Sequence, residues 1–206
     1  MKGPVLFETK EKCCGCSACA NICPKNAISM VMDEDGCSYP QINDDLCVGC
    51  KLCKNACNYQ NKTIDNCILT AYAAVSKDID SRKFSTSGGL FSSLAQNIIS
   101  AGGIVYGCAY VNENEIITPK HIRISQKSEI KKTQGTKYVQ SNMGMCYRQV
   151  KKDLESDAPV LFSGTPCHGR HSPRQKPLWL LASGRAASSP ASGSRPGTCV
   201  WRLPCP

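Results

Sequence analysis

Cys13, Cys16, Cys19 and Cys23 return 34 residues later as Cys47, Cys50, Cys53 and Cys57, and any fold of this chain must satisfy those eight thiols. The chain has 206 residues and sixteen cysteines, several times ordinary usage, and eleven of them lie between residues 13 and 67. Two copies are too few for a solenoid, and the repeated element is a set of ligands and not a hydrophobic face. A disulfide framework needs an oxidising compartment, but residues 1–10 hold no apolar leader or cleavage site, so a reducing cytoplasm is expected. Cysteines this close in sequence also cannot all pair without strain.

The first copy reads C-x2-C-x2-C-x3-C-P, ending in Cys23-Pro24, which is the spacing of bacterial two-cluster ferredoxins. Two-residue gaps let three thiolates of one loop wrap three corners of a 4Fe-4S cubane, and in such ferredoxins the fourth cysteine ligates the other cluster. By that rule Cys13, Cys16, Cys19 and Cys57 hold one cluster, and Cys47, Cys50, Cys53 and Cys23 hold the second. Neither then assembles unless both halves fold, so metal binding and folding are one event. Zinc prefers paired C-x2-4-C knuckles, and two triplets with a fourth cysteine each overshoot what a tetrahedral ion needs. Asn58 stands where a second proline would follow Cys57, so an altered turn is expected there. Cys14, Cys37 and Cys67 fall off the ligand spacing and read as buried thiols. Lys12, Lys25, Lys51 and Lys54 flank the ligands, either offsetting cluster charge, or guiding an acidic partner, or simply solvated.

Between the copies, residues 28–32 and 38–42 read as a hairpin about an acidic turn ending in Gly36. Beyond Asn66, strands and helices alternate. Residues 68–75 read as a strand, residues 90–99 as a helix capped by Ser87 and ended by Gly102-Gly103, and residues 104–111 and 116–124 as strands. A helix follows over about 144–156, then a strand over 159–162. The formal net charge is +9, but residues 168–206 carry +6 of it, so neither a nucleic-acid surface nor a membrane surface is expected. No apolar run reaches the length of a membrane span. No Ser/His/Asp set, paired carboxylates or H-E-x-x-H run is present. His121, His168 and His171 lack ligand spacing, the last two reading as incidental.

Ser85-Thr-Ser-Gly-Gly89 opens a helix, where free backbone N–H groups can meet a phosphate or where a cap simply starts the helix. With the double cysteine motif, Asp35-Gly36, Tyr39-Pro40, Ala73-Ala74 to Lys77-Asp78, Gly135-Thr-Lys-Tyr-Val-Gln-Ser141 and Leu161-Phe-Ser-Gly-Thr-Pro-Cys167, it makes the chain resemble the coenzyme F-420 (deazaflavin) hydrogenase and dehydrogenase beta subunits over residues 1–167. The resemblance implies an iron-sulfur flavoprotein: two 4Fe-4S clusters exchange single electrons with a flavin, FAD, in the α/β part, within a complex containing other subunits or a redox partner protein. It also implies that Ser87, Gly88, Gly89, Gly135, Lys137, Gly164 and Thr165 line a flavin phosphate pocket. The family continues well past the Gly-Thr-Pro-Cys turn, and Cys167, a ligand candidate in that longer chain, is treated as a free thiol.

The expected fold class is therefore α+β: a two-cluster ferredoxin-type domain over 1–62, a partial α/β flavoprotein-like domain over 63–167, and a tail over 168–206. In that tail lie half of the twelve prolines, both tryptophans, five of eight arginines and no acid, which reads as disorder. The abrupt change also suggests a shift of reading frame near Cys167. The function expected is that of an electron-transferring oxidoreductase subunit. A stand-alone electron carrier needs only the first 60 residues and would leave the α/β part idle, and a zinc-stapled module would be colourless.

Overall fold

The computed structural model describes residues 3–57, 73–169, 178–183 and 198–202. Helices and strands are mixed. In the N-terminal part, α1 (Ala18–Ile22) and α2 (Leu52–Asn55) flank an antiparallel hairpin of β1 (Ile28–Met32) and β2 (Ser38–Ile42), registered from Ile28 opposite Ile42 to Met32 opposite Ser38. Asp33 makes the turn, its carboxylate accepting from the backbone N–H of Asp35 and of Cys37 while Lys10 pairs with it at 2.6 Å. The apolar core here is small: Ala20, Ile28 and Cys53 are buried, with Leu6, Met30 and Ile42 against them.

The second part begins at α3 (Ile79–Lys83), a helix that the sequence reading missed, capped by the Asp78 carboxylate accepting from the N–H of Asp80 and of Ser81. Of the strand expected over 68–75, residues 68–72 lie outside the described residues and 73–75 form no strand. Then come α4 (Leu90–Ser100), β3 (Ile104–Glu113), β4 (Ile116–Ile124), α5 (Ile130–Thr133), α6 (Cys146–Glu155), β5 (Val160–Gly164) and α7 (Pro166–Gly169). The N-cap of α4 is Gly89 at φ +76°, and not Ser87, which is exposed and makes no cap bond. A left-handed residue must enter this helix, and glycine adopts that conformation at least cost. The helix ends in a Schellman turn, with Gly102 at φ +75°, its N–H on the Ile99 carbonyl, and the Gly103 N–H on that of Ile98.

The sheet order is β4-β3-β5-β6-β7, where β6 is Leu178–Ser183 and β7 is Thr198–Arg202. β3 and β5 are parallel, as are β5 and β6, while β4 and β7 run antiparallel at the edges. Most of the tail expected to be disordered lies outside the described residues; of the rest, residues 168–169 close α7 and residues 178–183 and 198–202 form strands. The apolar run Leu-Trp-Leu-Leu-Ala in β6 suits a strand flanked on both sides. Strand alternation sorts the core: Ile104, Tyr106, Val160 and Phe162 face α6, while Val105 and Leu161 face α4 and α5. Complete burial of a residue such as Leu161 stabilises by about 1.5–3 kcal/mol.

Two polar joints hold these layers. Asp153 on α6 accepts from the Tyr106 hydroxyl and, bidentately, from Arg123 at 2.8 and 3.1 Å. Arg148, also on α6, grips the end of α1: its guanidinium donates to the carbonyls of Ala20, Asn21 and Cys23 and to the Asn26 side chain. The Asn21 amide returns a bond to the Gly144 carbonyl at 2.8 Å. The cysteine-rich part is thereby docked on the α/β part, and Ala18 and Cys16 enter its core.

Replacing Arg148 by Ala strands several carbonyls, and a loss of about 1.5–3 kcal/mol is expected. Hydrogen exchange should quicken at residues 18–26 more than along β3. Burial opposes the charge on Asp153, but Arg123 and Tyr106 outweigh it and hold its carboxyl below the ordinary value. The triad's contribution is therefore complete above about pH 3.9 and is lost as pH falls through the folded value. Acid titration of Asp153→Asn should show a shallower stability decline in that range than the unsubstituted chain.

Candidate metal centres and the adjoining cavity

The repeat in the sequence is a repeat in backbone geometry. Gly15 and Gly49 stand at φ +61° and +67°, and Ser17 and Lys51, 34 residues apart, at +62° and +60°. Left-handed backbone costs a side-chain-bearing residue roughly 1–2 kcal/mol, and the same cost recurs because each loop must coil back before its helix starts. α1 and α2 begin directly after these residues. A Cβ on Gly15 would lie 2.2 Å from the Gln140 amide nitrogen and 2.4 Å from the Ser38 carbonyl.

The thiols line two hollows. One is lined by Cys13, Cys14, Cys16 and Cys19 of the first copy and by Cys53 and Cys57 of the second. The other takes Cys47, Cys50, Cys53 and Cys23. Each hollow thus draws on both copies, the first through Cys53 and Cys57 and the second through Cys23. Among the described residues no three His, Cys, Asp or Glu side chains converge on a point as a single ion would require. Thiols spread around a hollow fit instead a cubane, whose irons sit at separate corners. Backbone donors aim at the sulfurs, including the Ala27 N–H at 3.3 Å from Cys23 Sγ and N–H groups at Cys13, Cys19 and Cys53. Burial, reinforced by neighbouring thiols, pushes Cys19 up to about 12, so a bound cation is needed to draw its proton off. Lys12, Lys25, Lys51 and Lys54 are all exposed.

The cysteines set aside as buried thiols differ. Cys37 is exposed in the turn before β2, so that expectation does not hold for it. Cys14 is half-buried and pushed up to about 11, first by its hydrogen bond with Cys16, and it also meets Cys167. Cys67 lies outside the described residues. Cys146 is buried in the α6 core.

A cavity of about 600 Å³ lies between the first cysteine loop and the carboxyl ends of the parallel strands, the position where open α/β sheets bind ligands. Ser87, Gly89, Gly135, Lys137, Gly164 and Thr165 line it. Gly88 does not line it. Its carbonyl accepts from the Ser76 N–H at 2.6 Å, and a Cβ there would strike the Ala74 carbonyl at 2.6 Å, so it shapes the turn behind the wall. The Lys137 ammonium donates to the carbonyls of Gln134 and Gly135, and burial lowers its pKa. Thr86 and Thr136 hydroxyls, 2.8 Å apart, tie the two glycine-rich turns together.

The sequence reading missed the imidazoles. His121 on β4 and His168 are both buried against this cavity, their rings 5.3 Å apart edge to face. His168 is not incidental: its Nδ1 lies 3.1 Å from Thr165 Oγ1 and its carbonyl accepts from the Tyr147 hydroxyl. Strand periodicity carries the only early signal, since His121 stands opposite Cys108 across the β3-β4 ladder.

Residues 12–61 match the 4Fe-4S dicluster domain, and residues 71–146 match the N-terminal part of the coenzyme F420 hydrogenase/dehydrogenase beta subunit. The chain is therefore an iron-sulfur protein whose dicluster domain precedes an α/β domain. Its second part carries the N-terminal segment of the coenzyme F420 hydrogenase/dehydrogenase beta subunit, over residues 71–146. It is 26% identical over 168 residues to an F(420)H(2) dehydrogenase subunit of Methanosarcina mazei, covering 76% of this chain and 46% of that one. It is 38% identical over 52 residues to an uncharacterized ferredoxin of Methanocaldococcus jannaschii, covering 25% of this chain and 66% of that one. The chain thus spans about half the length of the dehydrogenase relative. A chain of the F420-reducing [NiFe] hydrogenase complex from Methanosarcina barkeri overlays at TM-score 0.36 and 22% identity, over 45% of this chain and 32% of that one. No helix among the described residues is long and apolar enough to cross a membrane.

Gly15→Ala should distort the first cysteine loop, through both its positive φ and the Gln140 contact, and reduce iron incorporation. Iron per chain after anaerobic purification, compared with Gly36→Ala in the open hairpin turn, measures the effect.

Proposed function

We propose that this chain is the electron-transferring subunit of a flavin-dependent oxidoreductase complex, with one 4Fe-4S cluster in each hollow and FAD in the 600 Å³ cavity. One observation carries this reading: the three spaces share walls in series. Cys53 borders both hollows, and Cys13, Cys14 and Gly15 border both the first hollow and the cavity. An electron entering at the second hollow, where Cys50 is exposed, therefore has a continuous route inward. The backbone N–H groups at the start of α4 and the Lys137 ammonium give the cavity the donors a phosphate requires. A bound flavin supplies the conversion between single electrons and hydride chemistry that clusters cannot perform. Its partners are then other subunits of the complex or a redox protein, in a reducing compartment such as the cytoplasm.

Anaerobically purified full-length chain should be brown, with about eight irons, a low-temperature paramagnetic signal on reduction, and a yellow cofactor released by acid. Eight irons without flavin would favour a stand-alone carrier. Colourless protein holding zinc would overturn the reading altogether.

A further inference from the structure

Clusters deliver electrons without protons, yet reducing an organic acceptor by two electrons leaves uncompensated charge unless protons follow. A cavity that receives electrons through the first cysteine loop consequently needs its own proton source. Its wall holds a group built for that task. His121 is 7% exposed, with Nδ1 2.9 Å from Ser141 Oγ and Nε2 3.0 Å from the Ser163 carbonyl. A carbonyl only accepts, so Nε2 carries the hydrogen and Nδ1 of the neutral ring accepts from the Ser141 hydroxyl.

The same heavy-atom positions serve the charged ring. Once Nδ1 is protonated it donates to Ser141 Oγ, whose own hydrogen turns to its other partner, the Cys108 sulfur, and the Nε2 bond to Ser163 is unchanged. Neither state leaves a buried donor without an acceptor, and nothing moves except one hydroxyl hydrogen. Phe162 holds the ring plane by stacking at 5.4 Å and 12°. We propose that His121 Nδ1, exchanging protons through Ser141, is the proton relay of this cavity. This inference rests on the flavin reading above for what consumes the proton.

The groups facing His121 set its titration. Cys108 stands opposite on β3 and bonds Ser141, His168 meets the ring edge from α7, and Lys137 and Cys167 line the same cavity. Burial lowers the His121 pKa, the Ser163 carbonyl opposing it, so the resting ring is neutral and ready to accept a proton. A ring serving only to pin β4 to the strand end at Ser163 would have no need of a second partner able to reverse its role.

Deuterium exchange at the imidazole C2 position, followed by mass spectrometry on the cluster-loaded full chain from pH 4 to 9, reads each histidine separately. His121 should titrate within the folded protein, below the ordinary histidine value of about 6.5. Ser141→Ala should lower the midpoint further, because the charged form loses its acceptor. A ring that does not titrate while the fold persists, or a midpoint indifferent to Ser141→Ala, overturns the relay. With FAD added and its binding measured separately, His121→Gln keeps a donor toward Ser163 but cannot hold the proton. It should slow cofactor reduction about 100-fold and abolish the pH break, and Ser141→Ala serves the same comparison if the glutamine variant does not fold. Equal rates and profiles in variants that bind FAD normally count against the relay. Failure of every form to bind FAD removes instead the flavin reading, while the exchange data still decide whether His121 trades protons with solvent.

Discussion

The N-terminal part is organised around two hollows, each lined by thiols of both its halves. Three buried residues, Ala20, Ile28 and Cys53, form a core far too small to order both cysteine loops, since even a single core of a chain below roughly 70–80 residues seldom contributes more than about 3–5 kcal/mol. The strained residues Ser17 and Lys51 add to the cost. Iron-sulfur coordination offsets both, and because each hollow is lined by thiols of both halves the two loops are ordered together. Gly15 is held to glycine by its left-handed backbone and by the Gln140 and Ser38 atoms that a Cβ would strike, and Gly49 repeats that backbone conformation.

The α/β part supplies a different kind of rigidity. Its strands β3 and β5 are buried on both faces, α4 and α5 against one and α6 against the other, and the cavity opens where β5 stops. Turns build the glycine-rich wall of this cavity, and strand residues such as His121 and Ser163 its floor. Gly89, the 134–141 loop and the turn after Gly164 approach one another from three parts of the sequence. The Thr86 to Thr136 bond and the Gln134 amide on Ser92 fix their spacing.

Local pattern made much of this legible. The eight cysteines, the β1-β2 hairpin, α4, α6 and strands β3 to β5 follow from spacing and periodicity, because each is determined within a dozen residues. The misses at Ser87, His121 and His168 come from partners distant in the chain, whereas those at α3 and Cys37 turn on the nearby Asp78 and Asp33. Ser87 looked like a cap, but the approach of α4 to Ser76 and Ser81 selects Gly89. His121 and His168 showed no ligand spacing because they are joined through Ser141, Ser163 and Thr165. Cys37 sits in a turn whose hydrogen bonds go to Asp33, leaving the thiol outward.

Arg148 has a consequence for modularity. The guanidinium of an α/β helix holds the carbonyl of Cys23, a residue whose thiol faces the second hollow. The cysteine-rich part is therefore not a bead on a string that evolution or an engineer can exchange freely. A small electron carrier grafted in its place would need a matching carbonyl crown at the end of its first helix, or the seam between the two halves would open.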